Sequence, residues 1–137
     1  MKVLVVNGPN MQNLVNRGEK YASSYFQLKK VVQQSAQTLG LEVEFFASDI
    51  EGELVQAICR SNHDALIINA AAYSHYSIAI RDAVESFAGK KIEVHMTNVH
   101  CREEFRHKSV LSSVVDGTIC GFGIQSYVLG LHALKGL

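Results

Sequence analysis

DALIINAAAYSHYSIAIRD, residues 64–82, is the stretch whose reading decides the fold. Ala65 to Ile68 is a short, unbroken apolar run, as a strand covered on both faces requires. Small and polar residues follow from Asn69 to His75, and a helix-like segment begins at Ile78 and runs to Phe87. Strand, turn and helix of this length are half of a parallel crossover unit.

The same unit recurs on either side. Val3–Val6, Val43–Phe46, Ile92–His95 and Gly117–Cys120 read as further strands, each rich in Val, Ile or Phe and expected to be covered on both faces. Helix-like segments lie at Tyr25–Leu39, Gly52–Ser61 and Arg102–His107, and a last helix runs from about Gln125 to Leu134. Gly40 stands where a helix-ending glycine belongs, just before the second strand. Five strands alternating with helices predict an α/β fold, a flavodoxin-like three-layer sandwich with a five-stranded parallel sheet in the order 2-1-3-4-5. The 137 residues suit one domain, with no repeat and no linker.

Composition removes several function classes. Thirteen basic residues balance thirteen acidic ones, so no global field draws the chain to nucleic acid or to an anionic membrane. The longest apolar runs are far too short to span a bilayer, and MKVLVVNGPN has no signal-peptide pattern. Cys59, Cys101 and Cys120 are odd in number and widely spaced, which fits reduced thiols in the cytoplasm. Hydrophobic residues at 47% suit a packed core.

Ligands in open α/β sheets bind beyond the carboxyl ends of the strands. Strand one ends in Asn7-Gly8-Pro9-Asn10, strand three in Asn69 to His75, strand four in His95-Met96-Thr97-Asn98. In the predicted order these strands are neighbours, so Asn10, Asn69, His75, His95 and Thr97 converge on one rim. KKIEVHMTNVHCREEFRHK, residues 90–108, adds the chemistry. Period-two alternation places Glu93 and His95 on one face, where the carboxylate can bond one ring nitrogen and leave the other to donate a proton. Arg102 and Arg106 follow at i, i+4 and on a helix would share one face. An acid beside paired arginines suggests proton transfer on an anionic substrate. The same residues also suit a buried structural pair followed by an exposed charged helix. A metal at His95 and His100 is disfavoured, since no carboxylate or thiol cluster completes a ligand set.

Taken together, NGPN (7–10), EGEL (51–54), AYSHYSIAIRD (72–82), EVHMTNVHCREEFRH (93–107) and GFGIQSYVLGLHAL (121–134) resemble the type II 3-dehydroquinate dehydratases. The similarity runs through nearly the whole chain, in order and at matching spacing. It implies a cofactor-free lyase, with no metal, that dehydrates 3-dehydroquinate to 3-dehydroshikimate through an enolate. Tyr21 matches the family's base and Arg17 the arginine that favours its phenolate. Asn10 matches the residue that holds the enolate-stabilising water. His95, oriented by Glu93, matches the general acid. Asn69, His75, Met96, Thr97 and Arg106 match substrate-binding positions, with Arg102 assisting. Asp82 matches a residue that reaches a neighbouring subunit, and the resemblance implies trimers assembled as a dodecamer.

The chain departs from that pattern in places. The lid, about residues 11–24, lacks the Glu-Pro pair expected after the arginine and has one residue fewer before the tyrosine, which leaves Tyr25 as a competing base. Ala70-Ala71 stands where a pair ending in glycine is usual, so added methyl groups bear on the pocket or on a positive φ. Asp49-Ile50 replaces an Asn-His pair. Two other readings stay open: a weak or inactive paralogue that keeps the pocket as a small-molecule sensor, and a flavin- or nucleotide-binding module. NGPN lacks the phosphate loop that such a module needs.

Overall fold

The computed structural model describes residues 1–11 and 24–137. The elements run β1 (Lys2–Asn7), α1 (Tyr25–Thr38), β2 (Glu42–Ala47), α2 (Glu51–Cys59), β3 (Ala65–Asn69), α3 (Ile78–Ser86), β4 (Lys90–His95), β5 (Gly117–Cys120) and α4 (Gln125–Gly136), with short 3₁₀ turns between them. All strand pairs are parallel and the order is β2-β1-β3-β4-β5. The predicted architecture is therefore the observed one.

Period-two alternation splits the apolar residues between two layers. Val3, Val5, Ala65, Ile67, Ile92 and Val94 face one way and pack with Leu28, Val32, Leu131 and Leu134 of α1 and α4. Leu4, Val6, Leu66 and Ile68 face the other way, against Leu54 and Ile58 of α2 and Ile80 and Val84 of α3. Burial of these side chains, each contributing about 1.5–3 kcal/mol, drives the three layers together.

Local chemistry sets the helix ends. The Ser24 hydroxyl accepts the Gln27 N–H at 3.0 Å, and the Ser77 hydroxyl accepts that of Ile80 at 3.1 Å. Gly40 takes φ +71° after α1, the left-handed stop expected of it. Gly8 has a different reason to be glycine. Its N–H donates to the Asn69 carbonyl at 2.8 Å, and a Cβ there would lie 2.4 Å from the Ala70 oxygen. The ends of β1 and β3 thereby approach closely enough to share a rim.

Three expectations need correction. β2 is not covered on both faces: it is an edge strand in which Glu42 and Glu44 are exposed while their neighbours are half-buried. β5, also expected to be covered on both faces, is the opposite edge, and Cys120 at its end is only partly buried. Arg102–His107 forms no α-helix. Two three-residue 3₁₀ turns, Val99–Cys101 and Glu104–Arg106, flank an extended Glu103 at ψ 147°, since six residues are too few to repay helix nucleation.

Candidate active site

The carboxyl ends of β1, β3 and β4 open onto a cavity lined by Asn69, Ala71 and His75 on one side and by His95, Met96 and Thr97 on another. Arg102 and Arg106 close a third side, and Met11 and Val99 complete the lining. Seven residues singled out from sequence therefore meet here: Asn69, His75, His95, Met96, Thr97, Arg102 and Arg106.

Glu93 and His95 lie on one face of β4, as strand periodicity predicts. The His95 Nε2–H donates to Glu93 Oε2 at 2.7 Å, with both residues buried. No partner for His95 Nδ1 occurs among the described residues, so that nitrogen is available to a ligand. Glu93 is fully buried yet richly solvated by the protein. Ser109 donates to Oε2 at 2.5 Å, Ser112 to Oε1 at 2.7 Å and Thr118 to Oε1 at 3.3 Å. Burial pushes the carboxyl upward, but the bonds from His95, Ser109 and Ser112 outweigh it and hold the group below its ordinary value. Glu93 is thus an anion in the folded protein.

The second histidine is also fixed. His75 Nδ1–H donates to the Lys108 carbonyl at 2.8 Å, and its ring lies 6.3 Å from that of His95 at an interplanar angle of 19°. Arg106 and Arg102 are braced by a single carboxylate: their Nε atoms lie 3.1 and 3.8 Å from Glu103 Oε1. The arginines flank the cavity through that shared partner, although no helix carries them.

A buried polar chain supports the other wall. Asn69 Nδ2 donates to the Tyr127 hydroxyl at 2.9 Å, and Tyr127 in turn donates to Asn7 Oδ1. Asn7 Nδ2 reaches the Tyr25 hydroxyl at 3.4 Å. Burial raises the Tyr25 phenol, and the Asn7 bond only partly opposes it. That disfavours Tyr25 as a base at neutral pH. Asn69 Oδ1 takes the Ala71 N–H at 3.1 Å.

Other expected residues stand elsewhere. Asn10 is exposed at φ +68° and is not part of the cavity lining; its N–H donates to Asp49 Oδ1 at 2.8 Å. Asp49 also accepts the Tyr73 hydroxyl on its carbonyl at 2.8 Å, so the Asp49-Ile50 departure keeps a working network. Asp82 is exposed and paired with Arg81 at 2.9 Å, away from the cavity. Tyr21 and Arg17 lie outside the described residues. His63, outside the cavity, is half-buried between Ser61 and Glu44 at 2.8 and 3.0 Å.

Sequence reasoning missed Met11 and Val99 as lining and the serine and threonine hydroxyls behind Glu93. A buried carboxylate needs donors, so the Ser109-Val-Leu-Ser112 run was a usable signal. Among the described residues no three His, Cys, Asp or Glu side chains are grouped as a metal site. No helix among them is long and apolar enough to cross a membrane.

Comparison with known proteins agrees with this geometry. A family model described as dehydroquinase class II matches residues 1–135. A 3-dehydroquinate dehydratase of Caldicellulosiruptor bescii is 52% identical over 98% of this chain and 96% of its own length. One from Thermotoga maritima is 45% identical over 98% of this chain and 95% of its own. The crystal structure of a type II dehydroquinase from Butyrivibrio crossotus superposes with a TM-score of 0.93 at 40% identity, covering 98% of this chain and 97% of that one.

Proposed function

The chain belongs to the class II dehydroquinase family, and we propose on that premise that it dehydrates 3-dehydroquinate to 3-dehydroshikimate and water, without a cofactor. The observation that carries the reading is the His95 imidazole, backed by the buried Glu93 carboxylate, in a cavity that also presents two arginines.

In this reading a base removes the proton beside the ketone and an enolate forms. Its electrons then expel the hydroxyl, which takes a proton from His95 Nδ1 and leaves as water. Glu93 holds the Nε2 proton, keeps the ring oriented and stabilises the charged imidazolium. Arg102 and Arg106 supply a positive wall for the anionic substrate. Asn69, His75, Thr97 and the Met96–Thr97 backbone amides bind its hydroxyls and carboxylate. The family resemblance supplies Tyr21 as base, Arg17 as its activating cation and Asn10 as the holder of the enolate water. It also names about residues 11–24 as a lid segment, of which 12–23 lie outside the described residues, within one domain of residues 1–137.

The assembly reading is trimers grouped as a dodecamer, with Asp82 reaching a neighbouring site. Exposed Tyr76 and Ile78, 62% and 56% accessible where α3 begins, supply apolar area that a subunit contact would cover. A fully active monomer in sedimentation would contradict that part. Cytoplasmic residence is supported by three cysteines that are all free thiols.

The test is to mix the protein with 3-dehydroquinate and follow the conjugated enone by ultraviolet absorbance, with His95→Ala alongside. Enone formation that falls by about 10²–10⁴ in the variant is the expected result. No enone from wild type that still binds the substrate would overturn the lyase reading and leave a binding protein.

A further inference from the structure

We propose that Ser109 and Ser112 are positioning residues of the dehydration, acting through Glu93 to keep the Nε2 proton on His95. The inference rests on the lyase reading above. Its basis is a convergence that no single element supplies. β4 provides the carboxylate, and the segment after the second 3₁₀ turn provides two hydroxyls, at 2.5 Å to Oε2 and 2.7 Å to Oε1. Thr118, in register with Glu93 on β5, adds a third at 3.3 Å.

The chemistry follows from proton competition. A buried carboxylate with only an imidazole beside it can take the shared proton and become a neutral pair, because low dielectric penalises both charges. Hydroxyl donors on both oxygens stabilise the anion and leave the proton on Nε2. A proton taken up on Nδ1 is then the transferable one that dehydration requires, with the charged carboxylate beside the ring to stabilise it. Oε2 shows the arrangement most directly, since it accepts from Ser109 and His95 together.

The same segment governs the other histidine. Lys108, directly before Ser109, offers its carbonyl to His75 Nδ1–H at 2.8 Å, and Val110 N–H bonds the Ser74 carbonyl at 2.8 Å. One stretch, Lys108–Ser112, thus holds His75 directly and His95 through Glu93. The charged and titratable groups facing the pair are His75, Arg102 and Arg106, with Glu103 between the arginines. Lys91 shares the β4 face, but its ammonium is engaged by the Phe87 carbonyl at 3.0 Å.

The experiment compares Ser109→Ala, Ser112→Ala, their double variant and Ser109→Thr with wild type, using kcat and KM for 3-dehydroquinate across pH. The alanine variants lose kcat by about 10-fold each, the scale of one hydrogen bond to a charged group. KM changes less than about twofold, because the substrate does not touch these hydroxyls. The acidic limb of the kcat profile moves to higher pH, since a less stabilised carboxylate protonates sooner. Ser109→Thr, which keeps a hydroxyl, restores both rate and limb. Unchanged kcat and an unmoved limb in folded single variants would overturn the proposal while leaving the lyase reading intact. An inactive wild type would instead remove the lyase reading itself.

Discussion

Asn69 and Ala71, both lining the cavity, are joined by a hydrogen bond: the Asn69 carboxamide oxygen accepts the Ala71 N–H at 3.1 Å. Ala71 is held at φ +53°, a left-handed conformation that a Cβ disfavours by about 1–2 kcal/mol. The methyl anticipated from the Ala70-Ala71 pair does sit at a positive φ, and Ala71 lines the cavity. Ala71→Gly relieves the strain and widens the site. The thermal midpoint is expected to hold or rise by a few degrees, because glycine's extra unfolded-state entropy offsets part of the gain. KM falls with kcat unchanged. A higher KM in the variant would show that the methyl contacts the substrate favourably.

Tyr127 ties together two buried amides, and its loss strands both. In Tyr127→Phe, Asn69 Nδ2 loses its 2.9 Å partner and Asn7 Oδ1 loses a donor. The variant is expected to be less stable by about 2–3 kcal/mol in urea titration. Its KM rises as well, because Asn69 is then held only by the Ala71 N–H and the weaker Met11 sulfur contact. Equal stability would mean that water replaces the phenol at no cost.

Acid sensitivity follows from Glu93. Its folded value lies below the ordinary 4.5, so the unfolded chain takes up the proton more readily than the native one. The stabilisation is full above about pH 4.5 and is lost as pH falls through the lower folded value. Denaturation midpoints should therefore decline less steeply in acid for Glu93→Gln than for wild type. Parallel curves below pH 4.5 would show that other carboxylates dominate acid unfolding.

The choice of base separates Tyr21 from Tyr25. Tyr25 is pushed the wrong way by burial and is engaged by Asn7. Turnover in Tyr25→Phe is expected within a few-fold of wild type, while Tyr21→Phe loses about 10²–10⁴. Stopped activity in Tyr25→Phe with an active Tyr21→Phe would reverse the assignment.

Much of the site was legible because it depends on local periodicity. Alternation alone places Glu93 and His95 together, and strand ends in a 2-1-3-4-5 order bring Asn69, His75 and Thr97 to the same rim. Arg102 and Arg106 were rightly grouped but for the wrong reason. Their common face comes from Glu103, held between two short turns, and not from a helix.

The apolar runs and their spacing determined by themselves the parallel sheet, its order and the face that carries the acid pair, since these follow from side-chain direction and burial. Only the tertiary structure decided which hydroxyls serve Glu93, which carbonyl fixes His75 and that Ala71 carries a positive φ. Those contacts span 16 to 33 residues for Ser109, Ser112, Thr118 and Lys108 and form only when loops close over the finished sheet. A linear pattern records which groups are available, but the distance between them is set by how the layers pack.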